Sequence, residues 1–220
     1  MKRPDFKNIV LSIVFILSII SLTGCSGTYY RTLEKLGIHK RDILVDRVED
    51  ARDAQSQAQE QFKSALEEFG SVIQVKNTDL KVTYEKLNVE YEGSEKAAKN
   101  VTARINSVEA VANTLFEEWE SELELYKNSK LRTLSVDQLK KTKSQYHKML
   151  TSMRRAEESM TPVLLSFRDN VLFLKHNLNA QAIGSLHAEF ASLKVEIDSL
   201  IKNMNDAIET SNRFISDIRQ

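Results

Sequence analysis

The chain has 220 residues, 28% of them charged and 7% aromatic, with only six glycines and two prolines. Thirty-one basic and thirty-one acidic residues cancel to a formal net charge of +0, so the overall charge gives no reason to expect a nucleic-acid partner, although a locally basic face is still open. So few turn-forming residues exclude a sheet-rich fold and favour long helices. The expected fold is all-α: an elongated antiparallel helical bundle, or a set of coiled-coil hairpins, of about four long helices.

The N-terminus is tripartite. "MKRPDFKN" is short and positive, "IVLSIVFILSIISL" is apolar, and "TGC" ends the segment with small residues. That is the pattern of a secretory signal. The apolar run is about 14 residues, shorter than the roughly 18 of a spanning helix; the alternative is a tilted anchor that is never cleaved. Leu22-Thr23-Gly24-Cys25 resembles the bacterial lipobox, which implies cleavage before Cys25 and attachment of lipid to its sulfur and new amino group. Cys25 is the only cysteine, so acylation would leave the mature chain without a free thiol or disulfide. Residues 25–220 carry 28 basic and 30 acidic side chains, a net charge of −2. Attachment of palmitate-type chains would place the protein on a membrane without spanning it. Ser26, where lipoproteins retained in the inner membrane of Gram-negative bacteria usually have Asp, implies the periplasmic side of the outer membrane.

The expected organisation is a signal peptide over 1–24, a tether over 25–42 and a helical coiled-coil domain over 43–220. Leu44, Val48, Ala51, Gln55, Ala58, Phe62, Ala65, Phe69 and Val72 are spaced alternately by four and three residues, which predicts a first helix with a heptad seam. Asn77, Thr78 and Asp79 supply turn and cap chemistry. A second seam runs from Leu80 to Trp119, with Gly93 as a weak point beside the polar Ser94. Residues 126–141 read as a loop closed by Ser135 as N-cap, with Gln138 completing a capping box.

A third seam is read through Leu139, Lys143, Tyr146, Leu150, Met153, Glu157, Met160, Leu164 and Phe167. Pro162 either kinks this helix or divides it, and the unbroken register favours the kink. "KHNLNAQ" at 175–181 forms the next turn, and a fourth seam follows from Ile183 to Ile218. Antiparallel packing then puts the 74–80 and 175–182 turns at one tip. The 127–136 segment and the C-terminus share the other, lipid-facing end.

No residues converge on a recognisable chemistry. Four histidines, 39, 147, 176 and 187, lack paired-ligand spacing, so neither a metal nor another cofactor is expected. There is no phosphate loop, no GxGxxG and no nucleophile elbow, which leaves neither a nucleotide ligand nor a catalytic residue to name. The mixed charges of 39–57 read as a salt-bridged helix start, or alternatively as a docking surface. Phe116, Trp119 and Tyr126 read as core aromatics, with a lipid-interface role as the alternative.

The stretches "HKRDILVDRVEDARDAQ" and "LKHNLNAQAIGSL", with the lipobox and the helical pattern, resemble an uncharacterised family of proteobacterial envelope proteins known only as a domain of unknown function. The similarity covers nearly the whole chain and brings no catalytic or binding residues. Some relatives carry DNA-repair or ATPase labels, for which these residues give no physical support. The expected function is therefore non-enzymatic: a membrane-anchored structural or adaptor rod. Its attachment is lipid on Cys25, and its partner is another protein or a second copy of the chain. Contacts are expected at the distal turns, through Asn77, Asp79, His176, Asn177, Asn179 and Gln181. The alternative is a binding module that opens at Gln55, Lys143 and Glu157 and lines a cavity with Met149, Met153 and Met160.

Overall fold

The computed structural model describes residues 39–74, 80–177 and 180–219, with side chains left out at 180–183. The chain divides at Lys40 and Arg41; of the first unit only His39 and Lys40 are described, and the second is the helical unit that follows. Four helices account for nearly all of it: α1 (Lys40–Gln74), α2 (Leu80–Glu122), α3 (Ser129–His176) and α4 (Ala180–Arg219), with one 3-10 turn at Leu123–Leu125. At 1.5 Å per residue these are about 50 to 70 Å long.

Side-chain contacts fix an up-down-up-down bundle. Glu68 and Asp50 of α1 meet Lys86 and Arg104 of α2, in opposite chain order. Tyr91 and Phe116 of α2 meet Phe167 and Tyr146 of α3. Tyr146 also approaches Phe214 of α4, while α4 returns to α1 through Arg219 with Glu49 and Phe190 with Phe69. Phe69 further meets Phe167 across the bundle diagonal, edge to face at 6.2 Å. Every sequential neighbour is therefore antiparallel, the arrangement that short connections dictate.

The core is built from the heptad seams. All nine seam residues expected on α1 are buried, Gln55 among them. On α2 the seam is buried at Leu87, Ser94, Ala98, Val101, Ile105, Val108 and Ala112. α2 continues unbroken through Gly93, and the Gln61 side chain of α1 lies where a Cβ would be, with its Nε2 only 2.8 Å from that position. Gly93 is thus a place of close approach between α1 and α2.

Two expectations for α3 are corrected and one is met. Its seam turns inward one residue earlier than expected at alternate steps: Thr142, Met149, Ala156 and Val163 are buried, while Lys143, Leu150, Glu157 and Leu164 are only half-buried. The spacing after Leu139 is three then four, not four then three, which turns both charges out of the core. Of residues 126–141 only 126–128 are a loop, and the helix begins at Ser129. Asn128 caps α3, its side chain accepting from the Lys130 and Leu131 N–H groups at 3.0 and 3.2 Å, and Ser135 lies inside the helix. Pro162 is internal to one continuous helix, as the unbroken register suggested. It faces solvent, as does Glu158, so the Glu158 carbonyl that loses its N–H donor can be hydrated instead.

Candidate functional site

Of the residues expected to meet a partner, His176 and Asn177 are described. His176 is the last residue of α3 and is exposed. Asn177 is the C-cap: its backbone N–H donates to the Leu174 carbonyl at 3.2 Å and its Nδ2 to the Phe173 carbonyl at 2.9 Å. It does so at φ −129°, outside the left-handed region. Asn77, Asp79 and Asn179 lie outside the described residues, as does Cys25. Gln181 belongs to α4, with its side chain outside the description. The α1 end at Gln74, the α2 start at Leu80 and the α3–α4 turn fall at one end of the bundle, because the helices alternate in direction.

The opposite end is formed by the start of α1, the α2–α3 connection and the end of α4. A cleft of about 340 Å³ opens there between Arg41, Trp119, Glu122, Gln138, Thr142 and Ile218. The Trp119 Nε1 donates to Ser135 Oγ at 2.9 Å, tying the end of α2 to the start of α3. Arg132 closes the same connection, its Nε donating to the Leu123 carbonyl at 3.1 Å and its Nη2 to Glu124 at 2.7 Å. Phe116 is core, stacked edge-on against Tyr146 at 5.3 Å, whereas Tyr126 is exposed at the connection. The aromatics read together from sequence therefore separate into an inner and an outer set.

The polar seam residues do not meet in one opening. Lys143 pairs with Glu120 at 2.7 Å and lies 5.4 Å from the centre of the Phe116 ring. Glu157 accepts from Arg154 at 2.6 Å. Arg154 also donates to Asn106 at 2.8 Å and to Glu109, so one guanidinium clamps α2 to α3. Burial opposes its charge, but the bonds to Glu157 and Glu109 outweigh it and raise its pKa. Beside this clamp the Tyr146 phenol is pushed up to about 12, by burial first and by the Glu109 charge second. Met149, Met153 and Met160 are all buried in the core. Gln55 is wholly enclosed, and neither its Oε1 nor its Nε2 has a hydrogen-bond partner among the described residues.

The charges of the α1 start pair as a salt-bridged helix would. Arg47 meets Asp50 at 3.1 Å, Arg52 meets Asp53 at 2.7 Å, and Asp50 reaches Arg104 of α2 at 3.2 Å. Among the described residues no three His, Cys, Asp or Glu side chains converge as a metal site would require. No described helix is long and apolar enough to cross a membrane. What the geometry offers is two exposed ends joined by a packed apolar core.

An antiparallel four-helix bundle of this length defines the class of protein. Residues 29–218 match the model of a family described as protein of unknown function (DUF2959), and the chain belongs to that family. No match was found among curated proteins.

Proposed function

We propose that the protein is a lipid-anchored envelope component, non-enzymatic, that holds a helical rod off a membrane in a structural or adaptor role. The observation that carries this reading is Leu22-Thr23-Gly24-Cys25 directly behind a positive and apolar leader. The bundle supports it by offering length and two exposed ends. Acylated Cys25 is the attachment, and Ser26 favours the periplasmic side of the outer membrane in a Gram-negative bacterium. The end carrying His176 and Asn177 is the partner-contact end, and the partner is a second protein or a second copy of this chain.

Growth with an alkyne-bearing fatty acid tests the anchor: the wild type takes up label, and Cys25→Ser neither takes up label nor is processed. Label on the Ser variant overturns the proposal. Photo-crosslinkers at His176 and Asn177, introduced in cells, test the contact end against one on the flank of α1 at Lys63.

A second reading, a small amphipathic ligand held inside the bundle, has Gln55 in its favour, since a wholly buried amide without a partner is costly unless something satisfies it. Native mass spectrometry of the purified protein would detect a bound small molecule and its loss in Gln55→Leu.

A further inference from the structure

The cleft at the α2–α3 end is lined from all four helices, so it lies where the core of the bundle opens rather than on one flank. Its apolar lining is Leu115 and Trp119 of α2 with Ile218 of α4. The indole is held in place by the bond from its Nε1 to Ser135 at 2.9 Å. At about 340 Å³ the space falls within the roughly 300 to 1,000 Å³ of small-molecule sites, which are mostly apolar with a few convergent polar groups.

The polar groups here lack partners. Thr142 of α3 is 4% exposed and lines the cleft, yet its hydroxyl makes no hydrogen bond among the described residues. Buried hydroxyls are ordinarily bonded, and on a helix the preceding turn usually supplies the acceptor. Arg41 of α1 and Glu122 of α2 line the same space and form no ion pair among the described residues, with each other or elsewhere. Glu118 is the third charged group of the lining and is already engaged.

These charges select the ligand. No other described charge lines the cleft. Of those nearby, Glu120 is paired with Lys143 at 2.7 Å and Arg219 with Glu49 at 3.0 Å, while Asp42 and Glu117 are exposed. A simple carboxylate could meet Arg41 but would sit among Glu117, Glu118 and Glu122 with nothing to offset them. A simple amine suits those carboxylates and the indole, but leaves the guanidinium beside a second cation. A molecule carrying both charges answers both sides, and an apolar arm on it would cover Leu115 and Ile218.

We infer that the cleft binds a small zwitterion with an apolar arm, of the class of an aliphatic α-amino acid. Its carboxylate meets Arg41 and the Thr142 hydroxyl, its ammonium lies against Trp119 and Glu122, and its side chain rests on Leu115 and Ile218. The inference requires neither lipid on Cys25 nor a ligand at Gln55.

Trp119 is the only tryptophan of the chain, so its emission reports on the cleft without a label. The test titrates the purified full chain, in an uncharged detergent, with leucine, with isopentylamine and with isocaproate, which keep the arm but lack the carboxylate or the ammonium. Leucine is expected to give a saturable change, with the amine and the acid each at least tenfold weaker. Phosphoethanolamine, which has both charges and no arm, should be at least fivefold weaker than leucine. Arg41→Gln should bring leucine down to the level of the amine, and Glu122→Gln down to that of the acid; both residues are exposed, and circular dichroism verifies that the variants fold. Absence of a saturable response to leucine overturns the inference. So does an amine or an acid that binds as well as leucine, which would make the cleft a site for one charge only, or a preference for phosphoethanolamine, which would give it to a lipid headgroup. None of these results bears on the labelling of Cys25 or on native mass spectrometry of Gln55→Leu, so this inference and the readings above fail separately.

Discussion

Gln55 sits on the α1 seam between the buried Ala51 and Ala58, and its amide is buried without a partner among the described residues. Other buried polar groups solve the problem within their own helix: Ser94 donates to the Glu90 carbonyl at 2.8 Å, Ser211 to Ala207 at 2.6 Å and Asn170 to Ser166 at 2.8 Å. Gln59 crosses to α4 instead, donating to Asn205 at 2.8 Å. Leaving an amide unsatisfied costs about 1 to 3 kcal/mol, so Gln55→Leu should stabilise the bundle by that amount in urea unfolding. Phe69 is the opposite case, packed against Phe167 and Phe190, and Phe69→Ala should lose about 3 to 5 kcal/mol in the same measurement. Tyr146 supplies a pH dependence. Its folded pKa of about 12 lies above the ordinary value of 10.0, so above pH 10 the unfolded chain loses a proton that the folded one keeps. Its contribution to stability is complete below pH 10 and falls away between pH 10 and 12. Burial and the Glu95 charge raise Tyr91 as well, so ultraviolet difference titration should show Tyr146 ionising late near pH 12, and Tyr146→Phe should remove that step.

At the scale of the element, α1 was legible in full because a single register satisfies it: every fourth-and-third residue from Leu44 to Val72 is apolar or small except Gln55. α3 offers two registers. Leu150 and Leu164 compete with Met149 and Val163, and hydrophobicity alone does not separate them. Charge does, since the true register carries Thr142 and Ala156 where the other would bury Lys143 and Glu157. The consequence is measurable. Met149→Ala should cost about 2 to 5 kcal/mol, and Leu150→Ala about 1 kcal/mol or less, by thermal or urea unfolding. The start of α3 was misplaced for a different reason: Ser135 with Gln138 matches a capping box, but so few apolar residues precede Leu139 that no seam announces the earlier turns. Asn128 was the available signal. Asn128→Ala should cost about 1 kcal/mol and fray residues 129–134, visible as faster amide exchange. Of the residues picked out for contact, His176 and Asn177 lie at the helix end expected of them, whereas the Trp119–Ser135 bond that stiffens the opposite end has no signature in spacing.

For the whole molecule, the antiparallel order and which helix ends fall together follow from periodicity and short connections. What the chain does cannot be read that way, because a heptad seam specifies its own packing partner and nothing beyond it. Function has to come from what is not spent on packing: residues 1–24, Cys25 and the two ends. The proposal joins these as a rod with one end tethered and one end free. The central claim is the tether, and the intact mass of the protein extracted from membranes by detergent tests it most directly. The account predicts a chain that begins at Cys25 and is heavier than its residues by a lipid carrying more than one acyl chain; a species that retains residues 1–24, or that has an unmodified thiol at Cys25, would contradict it.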